Sequence, residues 1–152
     1  MLRVDDVATL DGKRARPTAG SEAWRLLFEF FNSLDPYYET VASEFDLSHS
    51  QGHALVLLEP GRGVPMHELA DGLRCHASNV TSIVDALEAR GLVERLPAEG
   101  DRRVKMVALT DEGAKLRERA LERLWEPPPA IAGLAAADQR ALRDIMRRAS
   151  QR

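Results

Sequence analysis

The sequence predicts a mainly α-helical fold with a small β-hairpin wing, and three observations within residues 66–109 lead to that prediction. Apolar residues recur at helical spacing in two short segments that are separated by a sharp turn. Two stretches rich in branched apolar residues follow, around a polar connection that contains glycine, which is typical of a β-hairpin. The connection also carries adjacent charges. Two helices, a turn and a charged hairpin in this order indicate a winged helix-turn-helix.

Each of the two short helices carries one apolar face, so the helices are expected to pack crosswise against each other. The apolar positions are Leu69, Ala70, Leu73 and Cys75 in the first segment, and Val80, Ile83, Val84 and Leu87 in the second. The outer face of the second helix then carries Ser78, Asn79, Thr81, Ser82 and Asp85. These side chains are small, polar and mostly uncharged, and such a surface can lie close to base edges in a major groove.

The hairpin is predicted from strands at 92–96 and 104–109 around a polar turn at 97–103. The turn ends in Asp101, Arg102 and Arg103. Two adjacent guanidinium groups suit a phosphate backbone or a narrow minor groove, and the neighbouring acid can orient one of them. A solvated turn with incidental charges is the alternative for an isolated sequence of this kind. Its position directly after a helix-turn-helix favours the nucleic-acid role.

These residues resemble the MarR family of bacterial transcription regulators. The resemblance is carried by LADGL, by CHASNVTSIVDALEARGLVER, by the wing DRRVKMVALT and by the TDEG that opens the next helix. It implies a homodimer with interdigitating terminal helices, in which each subunit reads one half-site of a pseudo-palindromic operator in double-stranded DNA. It also implies a repressor that responds to a small aromatic or phenolic effector, bound between the helical lobe and the winged domain.

The resemblance also assigns roles to individual residues. It implies a recognition helix at 77–90, a wing at 97–103, and base contacts by Ser78, Asn79, Thr81 and Ser82. On the wing it implies a minor-groove arginine at Arg103, steadied by Asp101, with Arg102 beside it. We add Arg74, His76 and Lys105 as candidate phosphate contacts, and count Arg95 among the local positive charges. Such local clusters are needed because the formal net charge of the chain is -3, which argues against a generally basic coat.

The turn between the two helices departs from the family's pattern at two positions. Arg74 stands where glycine is usual, because the position tends to need a positive φ, and a non-glycine residue there costs about 1 kcal/mol. His76 stands at the N-cap, where Ser, Thr or Asp satisfies the first amides better. We therefore expect a mildly strained turn and a weakly capped recognition helix.

The rest of the chain divides into an arm and a helical lobe. We expect a flexible N-terminal arm at 1–20, a helical dimerisation lobe formed by 21–47 and 111–152, and a DNA-binding domain at 48–110. The apolar terminal helices lie outside a domain that is already complete, so they are expected to pack on a partner subunit. Their folding back onto their own core is the alternative.

Punctuating residues set the expected helix boundaries. Asp35 and Pro36 should restart the first helix, and Ser48 with Gln51 forms a capping box for the next. Thr110 should cap the helix after the wing, and Pro127–Pro129 should end that helix. A last helix is predicted at about 137–150.

Composition narrows the class of protein. The chain has one cysteine, which excludes an intrachain disulfide framework and fits a reducing compartment. It has no apolar run long enough for a membrane span and no signal-peptide core, so we expect a cytoplasmic protein that does not enter a membrane. No GxSxG sequence and no phosphate-binding glycine loop occur, so neither an enzyme nor a cofactor is expected.

Two alternatives remain open at this point. A metal-responsive regulator is one, since His49 and His53 are four residues apart and His67, Cys75 and His76 are ligand types, although no HExxH or CxxC sequence is present. The other is a winged-helix protein-interaction module that does not bind DNA. A basic stripe shared by helix and wing would favour DNA. For an effector pocket, the aromatic candidates are Trp24, Phe31, Tyr38 and His53, and core packing is the alternative role for each.

Overall fold

The computed structural model describes residues 17–98 and 101–151, which belong to two compact units, 1–35 and 36–152. In the first unit, helix α1 spans Ala19–Asn32. The Thr18 side chain accepts a hydrogen bond from the backbone N–H of Ser21, at 3.2 Å, and so caps the helix. The helix therefore begins two residues before the predicted boundary, and the remainder of the predicted arm, 1–16, lies outside the described residues.

From Asp35 onward the chain is mainly helical, as predicted, with one small sheet among the described residues. The elements are α2 (Asp35–Ser43), α3 (His49–Leu57), β1 (Val64–Pro65), α4 (Met66–Leu73), α5 (Ala77–Ala89), β2 (Val93–Ala98), β3 (Asp101–Leu109), α6 (Asp111–Leu124), α7 (Pro129–Ala132) and α8 (Ala136–Ser150). The predicted restart at Asp35 is confirmed, and α8 begins one residue before its predicted start.

Side-chain caps explain where two of these helices begin. The Ser48 hydroxyl accepts a hydrogen bond from the backbone N–H of Gln51, whose side chain accepts one from the backbone N–H of Ser48, so the predicted capping box is confirmed. The Thr110 hydroxyl accepts from the N–H of Gly113 and donates to the carbonyl of Gly91, at 2.6 Å. Thr110 therefore starts α6 and also ties it to the end of α5.

The sheet is antiparallel, with strand order β1-β3-β2. The predicted hairpin is confirmed, but the predicted turn at 97–103 is too long, because β2 extends to Ala98 and β3 starts at Asp101. The register shifts between Pro97 and Ala98, which allows the strands to remain paired beyond the proline. Strand β1 was not predicted, since two residues carry no periodic signal.

The core lies where α4 and α5 pack against each other, as the apolar faces predict. Val80, Val84 and Leu87 of α5 are fully buried, and Leu69 of α4 is nearly so. Leu73, Cys75 and Ile83 are partly buried against the same core. The core continues into α3 and the hairpin through Ala54, Leu55, Leu58, Leu92, Val93 and Val107. Helix α5 and the hairpin are therefore built on one shared core.

The segment after α6 contains a short helix that was not predicted. Helix α6 ends at Leu124, before the three prolines, as expected. Pro129 then occupies the first position of the short helix α7, where its missing N–H has no intrahelical partner to lose. The prolines thus end one helix and begin another.

Candidate nucleic-acid interface

Helix α5 has a buried face and an exposed polar face. Val80, Val84 and Leu87 are fully buried, at spacings of four and three residues. The four predicted base-contact residues are all exposed: Ser78, Asn79, Thr81 and Ser82. Hydroxyl and amide groups can both donate and accept hydrogen bonds. Asn79 is thus turned away from the core, and the exposed surface at the start of α5 is neutral and rich in hydrogen-bonding groups.

The turn that leads into α5 has the conformation that its sequence predicts. Arg74 adopts the left-handed region, with φ 51° and ψ 40°, so a residue with a Cβ occupies a position that favours glycine. His76 is the N-cap residue and makes no side-chain capping hydrogen bond, as expected for histidine there. Both side chains are exposed. Two of the predicted phosphate contacts therefore border the N-terminal end of α5.

The wing is the hairpin formed by β2 and β3. Lys105 lies opposite Pro97 in the hairpin, and its side chain is exposed. The backbone of β3 extends through 101–103, but the side chains of Asp101, Arg102 and Arg103 lie outside the described residues. The strand that bears both arginines is therefore located, whereas the roles expected of the three side chains stay predictions.

Arg95 on β2 uses its guanidinium group within the protein. Its Nη2 lies 2.5 Å from Oδ1 of Asp85, and its Nη1 pairs with Oε2 of Glu88. Desolvation alone would lower the pKa of Arg95, but the hydrogen bond to Asp85 and the charge of Glu88 outweigh it and raise the pKa. Counting Arg95 among the charges available to DNA was wrong, because its guanidinium nitrogens face two carboxylates of α5.

Arg90, at the end of α5, joins that helix to the loop after α2. Its guanidinium donates to the carbonyl oxygens of Phe45, at 3.1 Å, and Asp46, at 2.5 Å. These carbonyls belong to the turn that follows α2, in which Asp46 has a φ of 56°. Sequence reasoning missed this connection because the partners are 44 and 45 residues away and carbonyl acceptors leave no signal in a sequence.

A cavity of about 480 Å³ lies between α2, α3 and the end of α6. Its walls are largely apolar, and they include Tyr38, Phe45, His49, His53, Leu124 and Trp125. Two of the four aromatic candidates for an effector pocket, Tyr38 and His53, line this cavity, whereas Trp24 and Phe31 belong to the first unit. Leu124 and Trp125 were not predicted, because their approach to α2 and α3 is a long-range contact.

The two histidines lie in a row of rings along one wall of the cavity. The ring of His49 meets Tyr38 edge-on at 6.1 Å between centroids and meets His53 at 6.4 Å. Reduced hydration, and then the charges of His49 and Arg74, lower the pKa of His53. Within 17–98 and 101–151, no three His, Cys, Asp or Glu side chains are grouped as metal ligands. None of the helices in those ranges is long and apolar enough to cross a membrane.

The helix-turn-helix and the wing coincide with the segment that is similar to a known family. Residues 47–105 match the model of the MarR family. The chain is 36% identical over 93 residues to the HTH-type transcriptional regulator PecS of Dickeya dadantii (strain 3937), covering 59% of this chain and 55% of that protein. It is 24% identical over 120 residues to the organic hydroperoxide resistance transcriptional regulator of Bacillus subtilis (strain 168), covering 79% of each chain. The chain thus spans about half the length of the first of these relatives.

Solved structures extend the similarity of fold to most of the chain. Wild-type MarR from E. coli, in its apo form, has a TM-score of 0.74 and 22% identity, covering 90% of this chain and 98% of that one. The S. aureus MepR F27L mutant bound to an oligodeoxyribonucleotide has a TM-score of 0.59 and 19% identity, covering 87% and 96%. At these identities, the similarity establishes the fold and not a shared ligand or operator.

Proposed function

We propose that this chain, whose residues 47–105 match the model of the MarR family, is a homodimeric DNA-binding transcriptional regulator. It represses transcription in the cytoplasm by binding a pseudo-palindromic operator through α5 and the wing. The single observation that carries this proposal is the exposed, neutral, polar surface at the start of α5, backed by a fully buried apolar face. A helix that is held rigidly on one side and carries small hydrogen-bonding groups on the other fits a major groove.

In this proposal, the polar surface of α5 reads the bases. Ser78, Asn79, Thr81 and Ser82 contact base edges, and Asn79 is suited to adenine because an amide can accept and donate at once. The left-handed turn at Arg74 and the exposed ring of His76 bring two further side chains to the same end of the helix. Arg74 and His76 would contact the flanking phosphates there.

The wing supplies charge beside the recognition helix. Lys105 is exposed on β3 and is proposed as a phosphate contact. Arg103 is proposed to enter the minor groove, oriented by Asp101, with Arg102 on the adjacent phosphates. The continuation of β3 through these three residues supports their assignment to the wing. The oligonucleotide bound to the MepR mutant is a precedent for DNA binding by this fold.

Terminal helices are proposed to form the dimer. Helix α1 exposes Trp24, Leu26, Phe28 and Phe31, and helix α8 exposes Ile145 and Met146. Exposed large apolar side chains in such number are characteristic of an interface between subunits. Dimerisation would place two recognition helices about 34–36 Å apart, one helical turn of DNA.

The cavity between α2, α3 and α6 is the proposed effector site. Its volume is in the range that suits small organic ligands, and its apolar walls with a tyrosine and two histidines suit an aromatic or phenolic molecule. An effector acts only if it binds the DNA-competent and the DNA-incompetent arrangements of the dimer with unequal affinity.

Selection of bound duplexes from a random pool tests the proposal, because an inverted repeat would report both sequence recognition and dimeric symmetry. Against the recovered operator, Asn79→Ala should cost about 1–3 kcal/mol at particular base pairs. Lys105→Ala should weaken binding to all sequences and reduce its salt dependence. If Asn79→Ala lowered the affinity for all sequences equally, that result would count against base reading by α5. Recovery of no preferred sequence would favour the protein-interaction module, and recovery only with an added divalent metal would favour the metal-responsive regulator.

A further inference from the structure

Arg95, on strand β2 of the wing, bonds to several residues of the proposed recognition helix α5. Its guanidinium pairs with Asp85 and Glu88, and Nη2 also lies 3.5 Å from the carbonyl oxygen of Thr81. The backbone N–H of Arg95 donates to Oε1 of Glu88 at 3.2 Å, so the carboxylate of Glu88 binds both the side chain and the main chain of β2. One residue of the wing thus holds three positions of α5.

The three positions on α5 form one stripe. Thr81, Asp85 and Glu88 are four and three residues apart, so they follow one another along the same side of the helix. That side is distinct from the buried face formed by Val80, Val84 and Leu87. The contacts of Arg95 therefore extend over two turns of α5 and begin at Thr81, one of the proposed base-contact residues. Rotation or tilting of α5 relative to β2 would break at least one of these contacts.

The covalent connection between α5 and β2 is short, but it does not by itself set the angle between α5 and the hairpin. Only Arg90, Gly91 and Leu92 separate the two elements, and Gly91 has a φ of 68°. The N–H of Gly91 donates to the carbonyl of Glu88, and the carbonyl of Gly91 accepts from the Thr110 hydroxyl, so the turn fixes the chain at the base of the hairpin. The ion pairs of Arg95 act further along both elements. They are better placed than the turn to restrain the direction of the hairpin.

The positive charge of Arg95 also neutralises the two carboxylates on α5, and this effect is distinct from restraint of the hairpin. The side chains of Asp85 and Glu88 are 60% and 40% exposed, while that of Arg95 is 24% exposed. Two carboxylates on the proposed recognition helix would repel DNA phosphates if they were left unpaired.

We propose that Arg95 is a positioning residue that fixes the angle between α5 and the wing, so that base contacts and wing contacts engage one half-site together. This inference rests on the proposed DNA-binding function. It assigns Arg95 a role in discrimination between sequences and not in contact with DNA. The affinity for a matched operator requires both surfaces at once, whereas non-specific binding uses charge alone and tolerates a changed angle.

Arg95→Lys and Arg95→Met separate geometry from charge. Lysine keeps the positive charge, but its single nitrogen cannot reproduce the planar fork that reaches two acids and a carbonyl. Both variants should lower the ratio of operator affinity to scrambled-duplex affinity by about tenfold. The lysine variant should keep the scrambled-duplex affinity of the wild type, and the methionine variant should lose some of it. Arg62→Met is the matched control, since Arg62 pairs with Glu59 in an exposed ion pair at 3.5 Å.

A triple variant, Arg95→Met with Asp85→Asn and Glu88→Gln, removes the acids together with the contacts of Arg95. It should bind scrambled DNA at least as well as the wild type, and its ratio of operator affinity to scrambled-duplex affinity should still be reduced. Since all four variants change exposed or partly exposed side chains, the free energy of unfolding is measured for each, and the lysine variant carries the test if another fails to fold.

The outcomes distinguish this inference from the function on which it rests. A lysine variant with the wild-type ratio, or a triple variant with a restored ratio, would show that Arg95 acts through charge alone and would overturn the positioning role. A wild-type chain that prefers no duplex from the random pool would overturn the proposed function, and the positioning role with it. Loss of the ratio in the Arg62→Met control would show that the effect is not specific to Arg95 and would also overturn the inference.

Discussion

Gly113 lies against Leu92 so closely that a Cβ on Gly113 would be 1.8 Å from the carbonyl oxygen of Leu92. The same carbonyl accepts a hydrogen bond from the N–H of Thr110 at 3.1 Å, which brings the first turn of α6 onto the start of the hairpin. Residue 113 is buried, and the atom that it would meet belongs to the backbone and cannot rotate away. The glycine of the TDEG sequence is therefore required by a contact and not by a turn.

We predict that Gly113→Ala lowers the free energy of unfolding by about 3 kcal/mol or more, because the backbone of α6 or of the hairpin must move. Urea titration followed by circular dichroism measures the change. Gly72→Ala is the matched control, since its Cβ would lie 3.1 Å from a methyl of the exposed Leu57, which can move, and alanine favours the helix by about 1 kcal/mol. Equal destabilisation by both substitutions would contradict the steric explanation.

Arg74→Gly is predicted to raise stability and lower DNA affinity together. Glycine relieves the left-handed conformation at φ 51°, while loss of the guanidinium removes a proposed phosphate contact. Arg74→Ala loses the same charge without relieving the backbone, so the glycine variant should exceed it in unfolding free energy by about 1 kcal/mol. The two variants should bind DNA equally weakly in a fluorescence-polarisation titration. Different affinities would indicate that the turn conformation itself affects binding.

Ser48→Ala removes one half of the capping box at α3. The N–H of Gln51 then loses its acceptor, and the expected cost is about 1 kcal/mol in the free energy of unfolding. Ser50→Ala makes the same substitution at an exposed position inside the helix, where alanine is the better helix former, and should be neutral or stabilising. A thermal melt of both variants checks the difference, and similar melting temperatures would refute the capping role.

The lowered pKa of His53 predicts a pH dependence of stability. The folded state holds the pKa of the His53 imidazole below its ordinary value of 6.5. At pH values between the folded-state pKa and 6.5, the unfolded chain therefore binds more protons than the folded one. The free energy of unfolding should therefore fall as the pH is lowered through 6.5 toward the folded-state pKa. Stability measured from pH 7.5 to pH 5 should vary less in His53→Gln than in the wild type. His67→Gln replaces an exposed histidine and serves as the control. An unchanged pH profile in His53→Gln would exclude His53 as the source.

Local sequence signals predicted much of the fold and part of the candidate site. The capping residues Ser48 and Thr110 act within three residues of themselves, and the left-handed turn at Arg74 follows from a local backbone requirement. The faces of α5 follow from its period of 3.6 residues, which separates Val80, Val84 and Leu87 from the polar side. Each of these features is decided by neighbours along the chain, so a single sequence is enough to reveal it.

Tertiary structure decided the features that depend on distant partners. The pairing of Arg95 with Asp85 and Glu88, and the bond of Arg90 to the carbonyl of Phe45, become visible only when the hairpin and α2 are placed beside α5. A charged residue in a sequence has the same appearance whether it meets DNA, solvent or a carboxylate, which is why Arg95 was misassigned. The sequence by itself determined which elements form and which face of each is apolar, because those depend on local propensity and periodicity. Only the fold decided which charges are already paired and where a cavity remains, because both depend on how elements far apart in the chain pack together.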